Sequence, residues 1–148
     1  MSFLSSLNIT ASGMTVQRLR LDVAAENIAN IETTRTESGG PYRRKMVVVE
    51  SKDNSFSSMY KKSLDRVDNN ASKGGVRARS VIDDNTELKA VYDPEHPDAD
   101  ENGYVRMPNI DIVKEMTDSM SATRSYEANI TAFNAVKLMA TKALEIGR

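Results

Sequence analysis

The histidine at position 96 is the first side chain to consider for catalysis. His96 is the one histidine of the chain and lies in the acidic segment DPEHPDADENG, between Pro94 and Pro97. A general base needs an orienting partner at hydrogen-bond distance, and a metal site needs several ligands that converge. A lone imidazole between two prolines provides neither, so we predict that His96 shapes a loop.

The residues that follow this histidine match part of a calcium-binding pattern. In DADENG (Asp98–Gly103), acidic residues stand at relative positions one and three, asparagine at five and glycine at six, as in an EF-hand loop. The match then fails, because position twelve is Asn109 instead of a bidentate glutamate and Pro108 precedes it. We therefore predict a turn here and no metal site.

The remaining motifs give no support to an enzyme. The cluster PYRRK (Pro41–Lys45) is too small for a nucleic-acid surface in a chain of formal net charge -1, so we predict a solvated strand edge or a salt-bridging interface. The chain has no cysteine, which excludes disulfides, thiol chemistry and cysteine-ligated metals. No Walker loop, dinucleotide fingerprint, nucleophile elbow or HExxH motif occurs. We expect no enzyme activity, no cofactor, no metal, and neither a nucleic acid nor a small-molecule substrate.

The composition describes a chain with a limited core. The 148 residues suit one domain, with no tryptophan, three phenylalanines and five tyrosines. The first residues, MSFLSSLNITASGM, contain neither a basic region nor a continuous apolar stretch, so no cleaved signal peptide is expected. No apolar run is long enough to span a bilayer. Any export is expected to use another route.

The N-terminal segment, from about residue 4 to 30, is predicted to be a helix with two apolar stripes. One stripe, interrupted by Arg18, collects Leu4, Leu7, Ala11, Met14, Leu21, Ala25 and Ile28. A second stripe, nearly opposite, collects Ile9, Val16, Leu19 and Val23. Because a surface helix usually has one apolar face, two stripes predict one partner helix within the chain and another outside it.

The C-terminal segment, from about Asn109 to Ile146, is predicted to be a longer helix. Pro108 precedes it, Asn109 is its predicted N-cap, and Gly147 is its predicted end. Its main stripe collects Ile112, Met116, Met120, Thr123, Tyr126, Ile130, Phe133, Ala140 and Leu144. A second stripe of mostly small residues collects Ala128, Ala132, Ala135, Val136, Met139, Ala143 and Ile146. The last turns are apolar almost all round, which indicates burial in a bundle or an assembly.

The middle of the chain differs from both ends. Predicted strands lie at Lys45–Ser51, Val76–Asp83 and Thr86–Asp93, with a turn at Asp83–Asn85 and a mobile loop near residues 51–75. We therefore predict an α+β fold, mainly α, in which long terminal helices pair as a coiled-coil-like core and enclose a small β-rich insertion. The predicted division is 1–32 for the first core helix, 33–107 for the linker and β-rich segment, and 108–148 for the second core helix.

Two asparagines stand where the first helix is expected to end. Asn27 and Asn30 lie in AAENIANIETT, and asparagine is unfavourable inside helices because its amide competes for backbone hydrogen bonds. We predict that both end the helix and satisfy backbone groups where the chain leaves the helical layer.

Four stretches resemble the axial proteins of the bacterial flagellum, and among them the rod proteins. The run from Ser12 to Thr34 resembles the motif shared by rod and hook proteins, at Ser12, Gly13, Asn27, Ala29, Asn30 and Thr33. Glu26 stands where many relatives have Asn or Ser. Further resemblances lie in TTRTESGGPYRRK (Thr33–Lys45), in Tyr92–Met116 and in RSYEAN (Arg124–Asn129).

This resemblance implies a structural subunit of the rod of the flagellar basal body. Such subunits polymerise through their terminal helices into a hollow drive shaft across the periplasm, which transmits torque to hook and filament and continues the export channel. They leave the cytoplasm by the flagellar type III system without a cleaved signal peptide, and flagellum assembly and motility require them. Implied partners are other copies, proximal and distal rod proteins, the junction of membrane ring and export gate, and the rod cap during assembly.

The stripes and the resemblance together predict an assembly interface. Its residues are Leu4, Leu7, Ile9, Ala11, Met14, Val16, Leu21, Val23, Asn27, Ile28, Asn30, Met116, Met120, Tyr126, Asn129, Ile130, Phe133, Val136, Met139 and Leu144. Two other functions are alternatives to a rod subunit. One is a helical adaptor or export chaperone that binds a single partner. The other is a small enzyme, for which the sequence offers no convergent polar site.

Overall fold

A computed structural model describes residues 3–37, 39–52, 60 and 74–146. In chain order its elements are α1 (Phe3–Ala29), β1 (Lys45–Ser51), β2 (Val76–Asp83), β3 (Lys89–Tyr92), β4 (Tyr104–Met107) and α2 (Ile112–Ile146). Two long terminal helices thus flank a small β-rich middle segment, which confirms the predicted α+β, mainly α fold. Most of the predicted mobile loop near 51–75 lies outside the described residues, as does the predicted helix end at position 147.

The two helices lie side by side and run antiparallel. A Cβ atom at Gly13 would lie 3.0 Å from Nδ2 of Asn129, and Nδ2 of Asn27 lies 3.0 Å from Oε2 of Glu115. The two contact positions are fourteen residues apart on each helix, in opposite chain directions. The same register sets Met139 opposite Phe3, so the last two turns of α2 project beyond the start of α1.

The face of α2 that packs on α1 has a coiled-coil-like repeat. Its buried and half-buried residues recur with alternating spacings of four and three, as in a heptad seam. They include Glu115, Ser119, Ala122, Tyr126, Asn129, Phe133, Val136 and Ala140. Several of these side chains are small or polar, so the seam contains less apolar surface than an ordinary coiled coil.

The start of α2 corrects the predicted N-cap. The helix begins at Ile112, and Asp111 caps it, since the Val113 N–H donates to Asp111 Oδ1 at 3.0 Å. The prediction that Asn109 is the cap is wrong. Its side chain instead accepts the Arg44 N–H at 2.9 Å and donates to the Asp84 carbonyl at 3.1 Å.

The strands form two separate antiparallel pairs. In the first pair, Lys45 of β1 lies opposite Asp83 of β2, with a register shift at Val48/Val49. Both predicted ranges are confirmed, and both strands pack on α1. In the second pair, β3 is shorter than predicted and pairs with β4, a strand of four residues that the sequence pattern did not reveal.

The loop between β3 and β4 contains the histidine and the calcium-like segment. Nδ1 of His96 accepts the Asp98 N–H at 3.1 Å, which confirms that this histidine shapes the loop. The Gly103 N–H donates to the Asp100 carbonyl at 2.8 Å, so DADENG forms the predicted turn. Gly103 has a φ of 78°, and a Cβ there would lie 2.9 Å from the Tyr92 ring, so the turn requires glycine.

The apolar core is small and lies where the helices meet the β-rich segment. The buried apolar side chains described are Val16, Val23, Ala24, Tyr42, Val105, Ile110 and Ala122. Neither of the two described helices is long and apolar enough to cross a membrane.

Candidate functional site

The most densely hydrogen-bonded part of the described structure is a polar junction, which we define as Asn27, Tyr42, Arg44, Lys45 and Glu115. These residues come from the last turn of α1, from the segment that leads into β1 and its first residue, and from the first turn of α2. Asn27 and Glu115 are 1% and 2% exposed. Because a buried polar group is costly unless it is paired, the junction depends on complete hydrogen bonding.

The amide of Asn27 uses its full hydrogen-bonding capacity. Nδ2 donates to the Lys45 carbonyl at 2.9 Å and to Glu115 Oε2 at 3.0 Å. Oδ1 accepts the Lys45 N–H at 2.9 Å and the Tyr42 hydroxyl at 3.1 Å. One side chain therefore attaches the start of β1 and the start of α2 to α1, as only an amide with two donors and two lone pairs can.

Arg44 and Glu115 form a buried ion pair at the centre of the junction. Arg44 Nε donates to Glu115 Oε1 at 2.6 Å, and the two side chains are 10% and 3% exposed. The guanidinium also lies 3.4 Å from Asp118 and 3.7 Å from Asp84. The backbone N–H of Arg44 is bound by Asn109, so both the side chain and the main chain of this residue are fixed.

The phenol of Tyr42 is buried near three carboxylates. Burial raises its pKa to about 12, with further contributions from the carboxylates of Glu26, Asp83 and Glu115. Lys45 partly compensates this charge, since its ammonium pairs with Glu26 and lies 5.5 Å from the centre of the Tyr42 ring. The hydroxyl therefore stays protonated and donates to Asn27 over the physiological pH range.

The turn after β2 forms the rim of the junction. The Thr86 N–H donates to Asp84 Oδ1 at 3.0 Å, and Asn109 Nδ2 donates to Thr86 Oγ1 at 2.7 Å. The Thr86 N–H, together with the charges of Arg44 and Lys114, lowers the pKa of Asp84. Asp84 is therefore a carboxylate at neutral pH and remains available to the Arg44 guanidinium.

Asn30 has a different role from Asn27. Its Nδ2 donates to the Glu26 carbonyl at 2.9 Å, and its Oδ1 accepts the Thr33 hydroxyl at 3.1 Å. Asn30 thus closes the C-terminal end of α1, as predicted. Asn27 also binds backbone groups, as predicted, but it lies within the last turn of the helix and faces α2 instead of ending α1.

A second feature is the exposed apolar surface of α2. Its exposed large apolar side chains include Ile112, Met116, Met120, Ile130 and Leu138, which we call the outer face, and Met116 and Met120 are 54% and 57% exposed. The projecting end of α2 adds Met139, Leu144 and Ile146, of which Ile146 is 86% exposed. Large apolar side chains exposed in such number on one helix are typical of interaction sites.

The predicted interface residues fall into three groups in the structure. Three are buried within the chain: Val16, Val23 and Asn27. Eleven are half-buried: Leu7, Ile9, Ala11, Met14, Leu21, Ile28, Asn30, Tyr126, Asn129, Phe133 and Val136. Six are exposed: Leu4, Met116, Met120, Ile130, Met139 and Leu144. The exposed group is the part that a neighbouring subunit could contact directly, and its role in assembly stays a prediction.

The sequence pattern did not reveal the roles of Arg44 and Glu115. A usable signal was present, because Glu115 occupies the same heptad position as Ala122, Asn129 and Val136. A charged residue on the inward face of a helix requires a partner, and the basic cluster at Pro41–Lys45 provides it. That cluster had been interpreted as a strand edge or a salt-bridging interface, and the structure supports the second reading.

None of the described residues forms a group of three or more His, Cys, Asp or Glu side chains suited to hold a metal ion. Every buried side-chain nitrogen and oxygen in the described part of the chain has a hydrogen-bond partner, and those of the junction join three chain segments.

Comparison with known proteins agrees with this architecture. The family model "Flagella basal body rod protein" matches residues 7–35, and the model "Flagellar basal body rod FlgEFG protein C-terminal" matches residues 101–146. The chain is 47% identical to flagellar basal-body rod protein FlgC of Bacillus subtilis, with all of both chains covered. It is 44% identical to FlgC of Borreliella burgdorferi, over 99% of this chain and 98% of that one, and 42% identical to FlgC of Salmonella typhimurium over all of both. The chain therefore belongs to the FlgC family of flagellar basal-body rod proteins.

Proposed function

We propose that this chain, as a structural subunit of the flagellar basal-body rod, polymerises through α1 and α2 into the hollow shaft that transmits motor torque to hook and filament. The shaft would also continue the export channel, and flagellum assembly and cell motility would require it. Support comes from full-length similarity to FlgC proteins and from rod-family models that match both helices.

The observation that carries this proposal is the apolar outer face of α2 together with its projecting end. These side chains are exposed in the described chain, and none of them is among the half-buried residues of the seam toward α1. Burying five aliphatic or methionine side chains contributes on the order of 5 kcal/mol or more per subunit. That gain is available to a neighbouring subunit and not to the isolated chain.

The geometry of a shaft explains why different helix faces are used. A subunit that adds to the next by rotation and translation contacts it with two different surfaces, because a closed two-fold contact would stop growth. We place the helix pair (residues 1–32 and 108–148) in the inner layer and the segment 33–107 outside it. Neighbours are other copies, proximal and distal rod proteins, the junction of membrane ring and export gate, and the rod cap during assembly.

The proposed location follows from the same assignment. The rod would span the periplasm, and the subunit would reach it through the flagellar type III system without removal of a signal peptide. An adaptor or export chaperone with a single partner is not favoured, since the relatives reported above are all rod proteins.

A pair of matched double variants tests the proposal. Met116→Glu/Met120→Glu replaces two apolar side chains of the outer face by charges, whereas Thr117→Glu/Ser121→Glu places two charges one residue further along, at exposed polar positions. Each variant is expressed in cells that lack the wild-type chain, and swimming, export and incorporation into purified basal bodies are measured.

We expect the methionine variant to be exported but excluded from basal bodies, with loss of swimming, because a buried charge in the contact is costly. The control is expected to be incorporated. Normal incorporation of the methionine variant would contradict the proposed interface, and equal failure of both variants would show that the apolar face has no special role.

A further inference from the structure

The β1–β2 pair has little to hold it in place by itself. An isolated two-stranded sheet is marginally stable in water, and most residues of both strands are half-buried or exposed. Its polar contacts with α1 include the two hydrogen bonds of Asn27 to Lys45, the exposed ion pair of Lys45 with Glu26 and, at the other end, the bond from the Val76 N–H to Ser12 Oγ at 3.2 Å. Local opening of such a pair would normally cost less than separation of the helices.

The link from this strand pair to α2 passes through Arg44, the residue before β1. Within the described residues, Arg44 supplies the ion pairs of this region with α2, to Glu115 and Asp118, and its N–H binds Asn109 just before the helix. Asn27 holds the same carboxylate of Glu115 from the α1 side. Three segments therefore meet at one buried carboxylate.

A buried ion pair adds little net stability to a fold, but it strongly disfavours separation of the two segments that carry its partners. Replacing both partners of such a pair by apolar residues is often neutral, whereas separating them leaves a buried charge without its counter-ion and is strongly unfavourable. If the strand pair opened alone, Arg44 would leave and Glu115 would stay in the seam, 3% exposed, with the Asn27 amide as its remaining hydrogen-bond donor in the junction. Opening of the strands is therefore penalised while α2 stays docked.

We propose that the Arg44–Glu115 pair couples the β1–β2 pair to the helix pair, so that the two open and close as one cooperative unit. The pair contributes this coupling and little net stability. The coupling is a property of the single chain. That it helps a torque-bearing shaft, because the outer segment must follow the inner helices, rests on the proposed function.

Native-state hydrogen exchange of the full-length chain at low concentration, measured against denaturant, tests the coupling without any assembly. In the wild type we expect the amides of β1, β2 and the first half of α2 to exchange with one common opening free energy. In Arg44→Met/Glu115→Leu we expect the strand amides to exchange about tenfold or more faster relative to those of α2, while helix exchange changes little. The matched control Lys142→Met/Glu145→Leu removes an ion pair whose side chains are 72% and 63% exposed, and should leave the ratio unchanged.

Two results would overturn the proposal. One is independent opening of the strands already in the wild type. The other is an unchanged strand-to-helix ratio of exchange rates in the double variant; if both regions accelerated equally, the pair would supply only global stability. Should the double variant be unfolded, Glu115→Gln decides, because it keeps the shape of the side chain and one acceptor oxygen but removes the charge that pairs with Arg44. In that variant the strand-to-helix ratio of exchange rates must also rise, by a smaller factor than is expected for the double variant. Because the readout is intramolecular, failure of the rod assignment would not alter it.

Discussion

Replacing Asn27 by alanine should destabilise the chain far more than the same change at Asn30. The two asparagines belong to one sequence motif, three residues apart, yet they have different surroundings. Asn27 is 1% exposed and makes four hydrogen bonds. Asn30 is half-buried, and its side chain makes two, to Glu26 and Thr33.

The magnitude follows from the groups that Asn27→Ala leaves behind. These are the N–H and C=O of Lys45, the hydroxyl of Tyr42 and one oxygen of Glu115. A buried group without a partner costs about 1–3 kcal/mol, and a water molecule in the vacated space could satisfy two or three of the four. We therefore expect a loss of about 3–5 kcal/mol, a large part of the roughly 5–15 kcal/mol that stabilises a typical domain. For Asn30→Ala, where water reaches the freed groups, we expect about 1 kcal/mol or less.

The assay is urea unfolding of the dilute chain followed by far-UV circular dichroism, with the slope against urea compared between variants. Asn27→Asp serves as a third variant, because it keeps the shape but loses both donors and places a second carboxylate beside Glu115; we expect it to be at least as unstable as the alanine variant. Equal losses for Asn27→Ala and Asn30→Ala would refute the reasoning, since the argument depends on burial and on the number of hydrogen bonds.

Three further outcomes can be checked with simple variants. Because the pKa of Tyr42 is raised to about 12 in the folded chain, against about 10 when unfolded, its contribution is present below pH 10 and is lost as pH rises toward 12. Between pH 10 and 12, the free energy of unfolding should therefore fall by about 3 kcal/mol more for the wild type than for Tyr42→Phe. The control is Tyr92→Phe, which changes a tyrosine that is 65% exposed and should behave as the wild type. Removal of residues 137–148 should abolish incorporation into rods while the melting temperature of the monomer changes little, because most of this segment projects beyond α1; normal motility of the truncated strain would contradict this. His96→Ala should leave swimming intact and lower stability by about 1 kcal/mol, through loss of one loop hydrogen bond to Asp98; a swimming defect without loss of protein would point to a role beyond the loop.

The sequence predicts the local features of this chain well, because they depend on neighbouring residues. Both helices follow from apolar periodicity, and the ranges of β1 and β2 follow from runs of β-branched residues. The pairing of β3 with β4 does not, because a four-residue strand carries little pattern and obtains its conformation from its partner. The sequence pattern also did not reveal the role of Asn109, because its partner Arg44 lies 65 residues away along the chain. For the ion pair of Arg44 with Glu115, 71 residues apart, the inward position of Glu115 is the signal, but it identifies a need for a partner and not which residue meets it.

The junction and the outer face of α2 offer different kinds of interaction. Toward α1, helix α2 presents the charged Glu115 and the polar Asn129 beside half-buried apolar residues such as Phe133, whereas the side chains of the outer face are apolar and exposed. Hydrogen bonds and ion pairs depend strongly on direction and distance, so they define one geometry without much net stabilisation. Apolar burial depends little on direction and provides most of the free energy of association. Under the proposed function, a chain built in this way has a defined shape as a monomer and keeps exposed apolar side chains for contact with a neighbour. This is what a subunit needs if it is to join a growing shaft in a single orientation.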